Sequence, residues 1–148
     1  MNIRSITCFL NPEWPVDRLA MNRMGAFIAA ARGAIQKAGY KVQSARLATI
    51  PFPRLVPSLE QDQVIQLAQQ LEQQGNALGF DYISLGPALP EMPASYALIP
   101  AVLAATKNVF LSGMLTTPDG GVSLPAVRAC AQVTSSPSPA AYSRLSAP

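Results

Sequence analysis

Eight carboxylates, two cysteines and no histidine are the groups this chain offers for chemistry. Without histidine it lacks the usual general base near neutral pH, the commonest metal ligand, and the Ser-His-Asp and Cys-His nucleophile arrangements. Glu13 and Glu91 are the acids whose positions suit a site, because each falls in a loop just after a strand-like segment. Facing one another, they could hold a metal or move protons as a pair. Ordinary exposed loop acids are the more frequent fate of such residues, and nothing in the spacing makes these two meet, so no metal or cofactor is assigned. Glu60, Asp62 and Glu72 share one helix-like segment and read as its solvated face, the first two favoured by the helix dipole. Asp81 reads as structural. The loop TTPDGG, Thr116 to Gly121, precedes another helix-like segment. Asp119, Gly120 and Gly121 either cradle an anion there on free amides or supply the positive φ of a plain turn. A dinucleotide site needs G-x-G-x-x-G after a strand, whereas the first strand here runs into NPEWP, whose prolines remove amide donors.

These candidates need elements to position them. NIRSITCFL, Asn2 to Leu10, is β-rich and bounded by NPEWP, which predicts a strand. A helix follows, started by Pro15 or capped by Asp17. Its apolar positions are Leu19, Met24, Phe27, Ile28, Ala31, Ile35 and Ala38, and Gly39 ends it. Tyr40 to Ala48 reads as the second strand, and TIPFPRLVP as a proline-punctuated loop. Ser58 with Gln61 has the capping-box pattern. The helix after it carries the apolar stripe Val64, Leu67, Ala68 and Leu71, and Gly75 or Gly79 closes it. Phe80 to Gly86 is the third strand. A helix from about Ser95 to Thr106 contains Pro100, which should kink it or delay its start. Asn108 to Leu115 is the fourth strand, and Ser123 or a neighbour caps a last helix through Pro125, Val127 and Ala131.

Strand and helix alternate throughout, which predicts an α/β fold with a mainly parallel sheet: a small sandwich, or part of a barrel wall. Sites in such folds gather at the carboxyl ends of the strands. Here those ends are Asn11 and Glu13, then Thr49, then the stretch from Gly86 to Glu91, then that from Ser112 to Asp119, Gly120 and Gly121.

The chain has 148 residues, enough for one domain with a real core. Charged residues make up 13%, about half the usual share of ~25%, and mean hydropathy is +0.21. So thin a polar skin suits a membrane protein, an oligomer with buried faces, or part of something larger. The membrane reading fails on length: the longest weakly polar run, Tyr96 to Thr106, is interrupted by Pro100, and a span needs ~20 apolar residues. MNIRSITCFLNP has no proper signal-peptide core, so a cytoplasmic location is expected. Cys8 and Cys130 are far apart and fit free thiols in a reducing compartment, with Cys8 a small core residue. The net charge of +3 is scattered and forms no stripe, which argues against a nucleic-acid partner.

Two stretches, IRSITCFLNP and GFDYISLGPALP…LIPAVLAATKNVFLSGML…GGVSLPAVRACAQV, carry a recognisable pattern. It is a D-Y/F-I strand, then I-P-x-x-L-x-x-T, then V-F-x-S, then a glycine and A-V. From Ile3 to about Val133 it resembles the amino-terminal part of the domain of unknown function 711 family. The resemblance implies a large α/β barrel related in fold to pyruvate formate-lyase and other glycyl radical enzymes. It does not imply their chemistry, which needs a glycyl radical loop and a reactive cysteine at the barrel centre; the chain has neither that loop nor an adjacent cysteine pair. Asp81, Pro100, Ser112 and Gly121 match the pattern, and only the last two stand as strand-end site positions. Family members are longer. With the resemblance, residues 1–133 are expected to be an α/β unit of partial-barrel type. Residues 134–148, rich in Ser, Pro and Ala, are expected to be a disordered tail, natural or the product of a frameshift. Three readings stay open. One is an amino-terminal fragment of an uncharacterised barrel protein with no activity of its own. The second is a complete small enzyme or small-molecule-binding domain with its site at the strand carboxyl ends. The third is a module that self-associates through exposed apolar faces.

Overall fold

The computed structural model of the chain describes residues 2–135. Strands β1 (Asn2–Leu10), β2 (Lys41–Pro51), β3 (Tyr82–Gly86) and β4 (Val109–Phe110) alternate with helices α1 (Arg18–Lys37), α2 (Gln61–Ala77), α3 (Ala94–Ala105) and α4 (Leu124–Ser135). The strands form one parallel sheet in the order β1-β2-β3-β4. The predicted α/β class and parallel pairing are therefore correct. Of the expected tail, α4 takes residues 134 and 135, and residues 136–148 lie outside the described residues.

Register divides the sheet into two unlike faces. Cys8, Leu47, Ile83 and Val109 are side-by-side partners across all four strands, and all four are buried. Ile6, Leu10, Ala45 and Leu85 share that face, and residues from α1, α2, α3 and α4 join the same apolar cluster. One strand position along, the row is Phe9, Ala48, Ser84 and Phe110, with Phe9 79% exposed. The first face is the core and the second is open. A parallel sheet is ordinarily covered on both sides, so the open face is the unusual feature of this fold.

Local chemistry explains the elements and some departures from expectation. Asp17 caps α1, its Oδ1 accepting the amides of Leu19 at 2.8 Å and Ala20 at 3.2 Å. The buried stripe of α1 is Met21, Gly25 and Ile28, not the broader set read from the sequence, and Leu19 and Phe27 face outward. Gly25 is buried because Leu78 lies against it too closely for a Cβ. The stripe Val64, Leu67, Ala68 and Leu71 is fully buried, as expected. The capping box at Ser58 and Gln61 does not form: the helix begins at Gln61 with Glu60 at the cap, and Ser58 Oγ donates instead to Gln63 Oε1 at 3.2 Å. β2 runs on to Pro51, and Phe52–Arg54 forms a 3₁₀ turn that buries Phe52 and Pro53, so half of the supposed proline loop is strand and core. β4 keeps only Val109 and Phe110, because beyond them its neighbour offers a single further bridge, Ala88 to Gly113. Pro100 lies inside α3, as expected.

Candidate functional site

The four strand ends deliver the predicted residues to one end of the sheet but give each a local partner. Asn11 lines a cleft of about 310 Å³ with Phe9, Leu10, Thr49 and Ile50. Its Oδ1 accepts the Glu13 amide at 3.4 Å, and Glu13 has a left-handed φ of 59°. Gly86 is where two backbones meet: β2 shifts register between Ala48 and Pro51, and the Ile50 carbonyl presses onto Gly86. Thr49 Oγ1 bridges the gap, accepting the Gly86 amide at 3.0 Å and donating to Ile50 O at 2.9 Å. Glu91 pairs with Arg54 at 3.1 Å, both side chains well exposed. The Ser112 carbonyl accepts the Ala88 amide at 2.9 Å.

The TTPDGG loop closes on itself. The Thr117 amide donates to Gly121 O and the Gly120 amide to Thr117 O, both at 2.9 Å. The Asp119 carboxyl is held below its ordinary range first by the Thr117 hydroxyl, then by the backbone amides of Asp119 and Gly121. The donors that would cradle a foreign anion are turned to the loop's own carboxylate. Among the described residues no three of the Cys, Asp and Glu side chains come together as a metal-binding set.

Before α3, Ser95 organises the GPALPEMP loop: its buried Oγ accepts the Leu89 amide at 3.1 Å and donates to Met92 O at 2.6 Å. The Tyr96 hydroxyl donates to Met114 O at 2.5 Å, and burial, more than the neighbouring Cys130 and Glu91 charges, pushes its phenol up and keeps it a donor. Cys8 is a core residue as expected, and burial pushes its thiol up. The stability this lends is complete below the ordinary thiol range. It falls as pH rises, because the unfolded chain gives up the proton first. A disulfide-exchange reagent should therefore modify half-buried Cys130 at least about tenfold faster than Cys8 near neutral pH, a gap that closes in denaturant. Equal native rates would show that β1 is not packed as described.

A second cluster lies on the open face, away from the strand ends. Arg46 of β2, Tyr82 and Ser84 of β3 and Phe110 of β4 line a cavity of about 250 Å³. The Arg46 guanidinium sits 5.9 Å from the Tyr82 ring centre, and the Tyr82 and Phe110 rings meet edge-on at 5.4 Å. The sequence reading missed all four. The available signal was an arginine and two aromatics recurring one position out of phase with the apolar row of each strand.

Sequential parallel strands with helices gathered on one face make this a singly wound α/β protein, with candidate site residues at its strand ends and in a cleft on its bare face. No helix among the described residues is long and apolar enough to cross a membrane. The chain belongs to the family described as Uncharacterised ACR (DUF711), whose model matches residues 1–144. The resemblance carried by the D-Y-I and I-P-x-x-L-x-x-T stretches is thus correct at the level of the family. No curated protein matches the chain.

Proposed function

We propose that this chain is one wall of a larger α/β barrel of the pyruvate formate-lyase type, with its open face turned to the lumen and no activity of its own. The observation that supports this reading is the sequential order β1-β2-β3-β4 with one face bare. A doubly wound fold reverses its order to place helices on both faces. A sheet that continues in one direction covers its second face by curling round on itself, and β1 and β4 are both edges at which it can be extended. In the complete barrel, small-molecule binding or chemistry would sit at the strand ends near Asn11, Glu13, Gly86 and Ser112. A self-sufficient site built on Glu13, Glu91 and the Asp119 loop has less support, since Glu91 and Asp119 are already engaged. The proposal places the protein in the cytoplasm, with free thiols and no nucleic-acid partner.

Light scattering on the purified chain tests this. An uncovered face bearing Phe9, Ile50, Tyr82 and Phe110 should give open-ended, concentration-dependent association and bind a hydrophobic dye. Phe9→Ser should weaken the association about tenfold or more, given ~1.5–3 kcal/mol for burying such a side chain. A monomer at all concentrations, with a cooperative melt and no dye binding, would overturn the reading. An oligomer of fixed mass would favour the self-associating module.

A further inference from the structure

We infer that the cleft on the open face is a binding site for a small planar carboxylate with an aromatic or similarly unsaturated body, anchored by Arg46. The inference rests on the open face being a ligand-facing surface, as proposed above, and not on closure of the barrel. Three features of the cleft support it.

The first is an unanswered cation. Among the described residues, the ion pairs are Arg32 with Asp81 and Arg54 with Glu91. Among the described residues Arg46 has neither a carboxylate nor a hydrogen-bond acceptor; its guanidinium meets the Tyr82 ring, and its Nε is buried without a partner. A buried unpaired donor is costly, and a guanidinium's planar fork matches a carboxylate in two parallel bonds. The second is the walls. Tyr82 and Phe110 stand at 70° to one another, so a flat ligand entering beside Arg46 meets a ring edge and a ring face together. The third is a free hydroxyl. Ser84 is exposed between those walls, and among the described residues its Oγ has no hydrogen-bond partner, leaving a donor or acceptor for a ring substituent. The register makes the grouping rigid. Arg46 is the direct strand partner of Tyr82, and Ser84 that of Phe110, so backbone ladders hold all four groups in place. The volume, about 250 Å³, lies below the ~300–1,000 Å³ of clefts that take drug-sized ligands, which limits the occupant to something near benzoate in size.

The test is a titration of the full chain with benzoate, read by amide NMR shifts, with benzyl alcohol and acetate as controls and the same samples sized by light scattering. If the wild-type chain is too associated for NMR, Phe9→Ser, which lies outside the cleft, replaces it. Benzoate should bind in the millimolar range and shift the amides of Arg46, Ser84 and Phe110. Benzyl alcohol and acetate should each bind about tenfold more weakly, since each lacks one half of the recognised group. Arg46→Met should weaken benzoate about tenfold or more, and Arg46→Lys less. If Arg46→Met does not fold, Phe110→Ala must weaken benzoate instead. Undiminished binding by whichever variant folds would overturn the proposal. So would equal binding of acetate, which marks a general anion affinity, or shifts confined to the strand ends. Absence of benzoate binding by a dispersed chain would overturn it too, and would leave the barrel reading to be judged by the light scattering alone.

Discussion

Gly86→Ala will destabilise the fold by about 3 kcal/mol or more, on the order of 10 °C in melting temperature. β2 shifts register between Ala48 and Pro51, and the shift drives the Ile50 carbonyl onto β3 at Gly86. A Cβ there would overlap the carbonyl carbon and oxygen of Ile50 and come within 2.5 Å of Pro51 N. The colliding atoms are backbone, held on both sides by the ladder and by Thr49 Oγ1, which takes the Gly86 amide at 3.0 Å. They cannot step aside as a flexible side chain would. Gly120→Ala is the control. Gly120 has a φ of +85° but open space around it, so only the conformational cost of about 1 kcal/mol should be seen. Chemical denaturation of both variants checks the pair. A Gly86→Ala protein within about 0.5 kcal/mol of wild type would mean that the two strands do not cross as described.

Asp81→Ala should cost about 2–3 kcal/mol, while Arg32→Met should cost less than about 1 kcal/mol. Asp81 does two jobs at the start of β3. Its amide donates to Ala45 O at 2.9 Å, and its Oδ2 accepts the Ala45 amide at 2.7 Å, so the side chain extends the β2–β3 ladder by one rung. The same oxygen takes Arg32 at 2.6 Å. That ion pair is 35% and 45% exposed on its two sides, which water screens heavily. The two variants therefore separate a backbone rung from a surface charge. If Arg32→Met proves as damaging as Asp81→Ala, the ion pair and not the rung accounts for what Asp81 contributes.

How much of this was legible depended on whether the deciding partner lay nearby in sequence. β1 was read to the residue, because NPEWP stops it with its own prolines. The Asp17 cap and the stripe Val64, Leu67, Ala68 and Leu71 were readable for the same reason: cap and helical period are local. β4 was overread because NVFLSGML has strand-forming residues throughout, while a strand exists only where a neighbour pairs, and β3 ends at Gly86. Ser58 and Gln61 satisfied a spacing rule but lie two positions off the real helix start, whose cap is Glu60. Among the site residues, the strand-end loops could be located from alternation alone. The partner of Glu91 could not, since Arg54 lies 37 residues away and meets it only because the loops fold back. The Arg46 cleft was beyond reach until strand order was known. The pairing of β2 with β3 and of β3 with β4 is what puts Arg46, Tyr82 and Phe110 side by side.

The same order bears on how the protein is made. Each new strand pairs with the strand just before it, so a chain emerging from the ribosome can lay down every βα unit against a finished template, always on the same growing edge. No early strand has to wait for a distant one to be synthesised, and the search for each pairing is short. Assembly of this kind is vectorial: β1 keeps one open edge throughout, and the other open edge is always the most recently added strand. Throughout synthesis, the molecule's exposure to misassociation is concentrated at the fixed edge, the moving edge and the bare face between them.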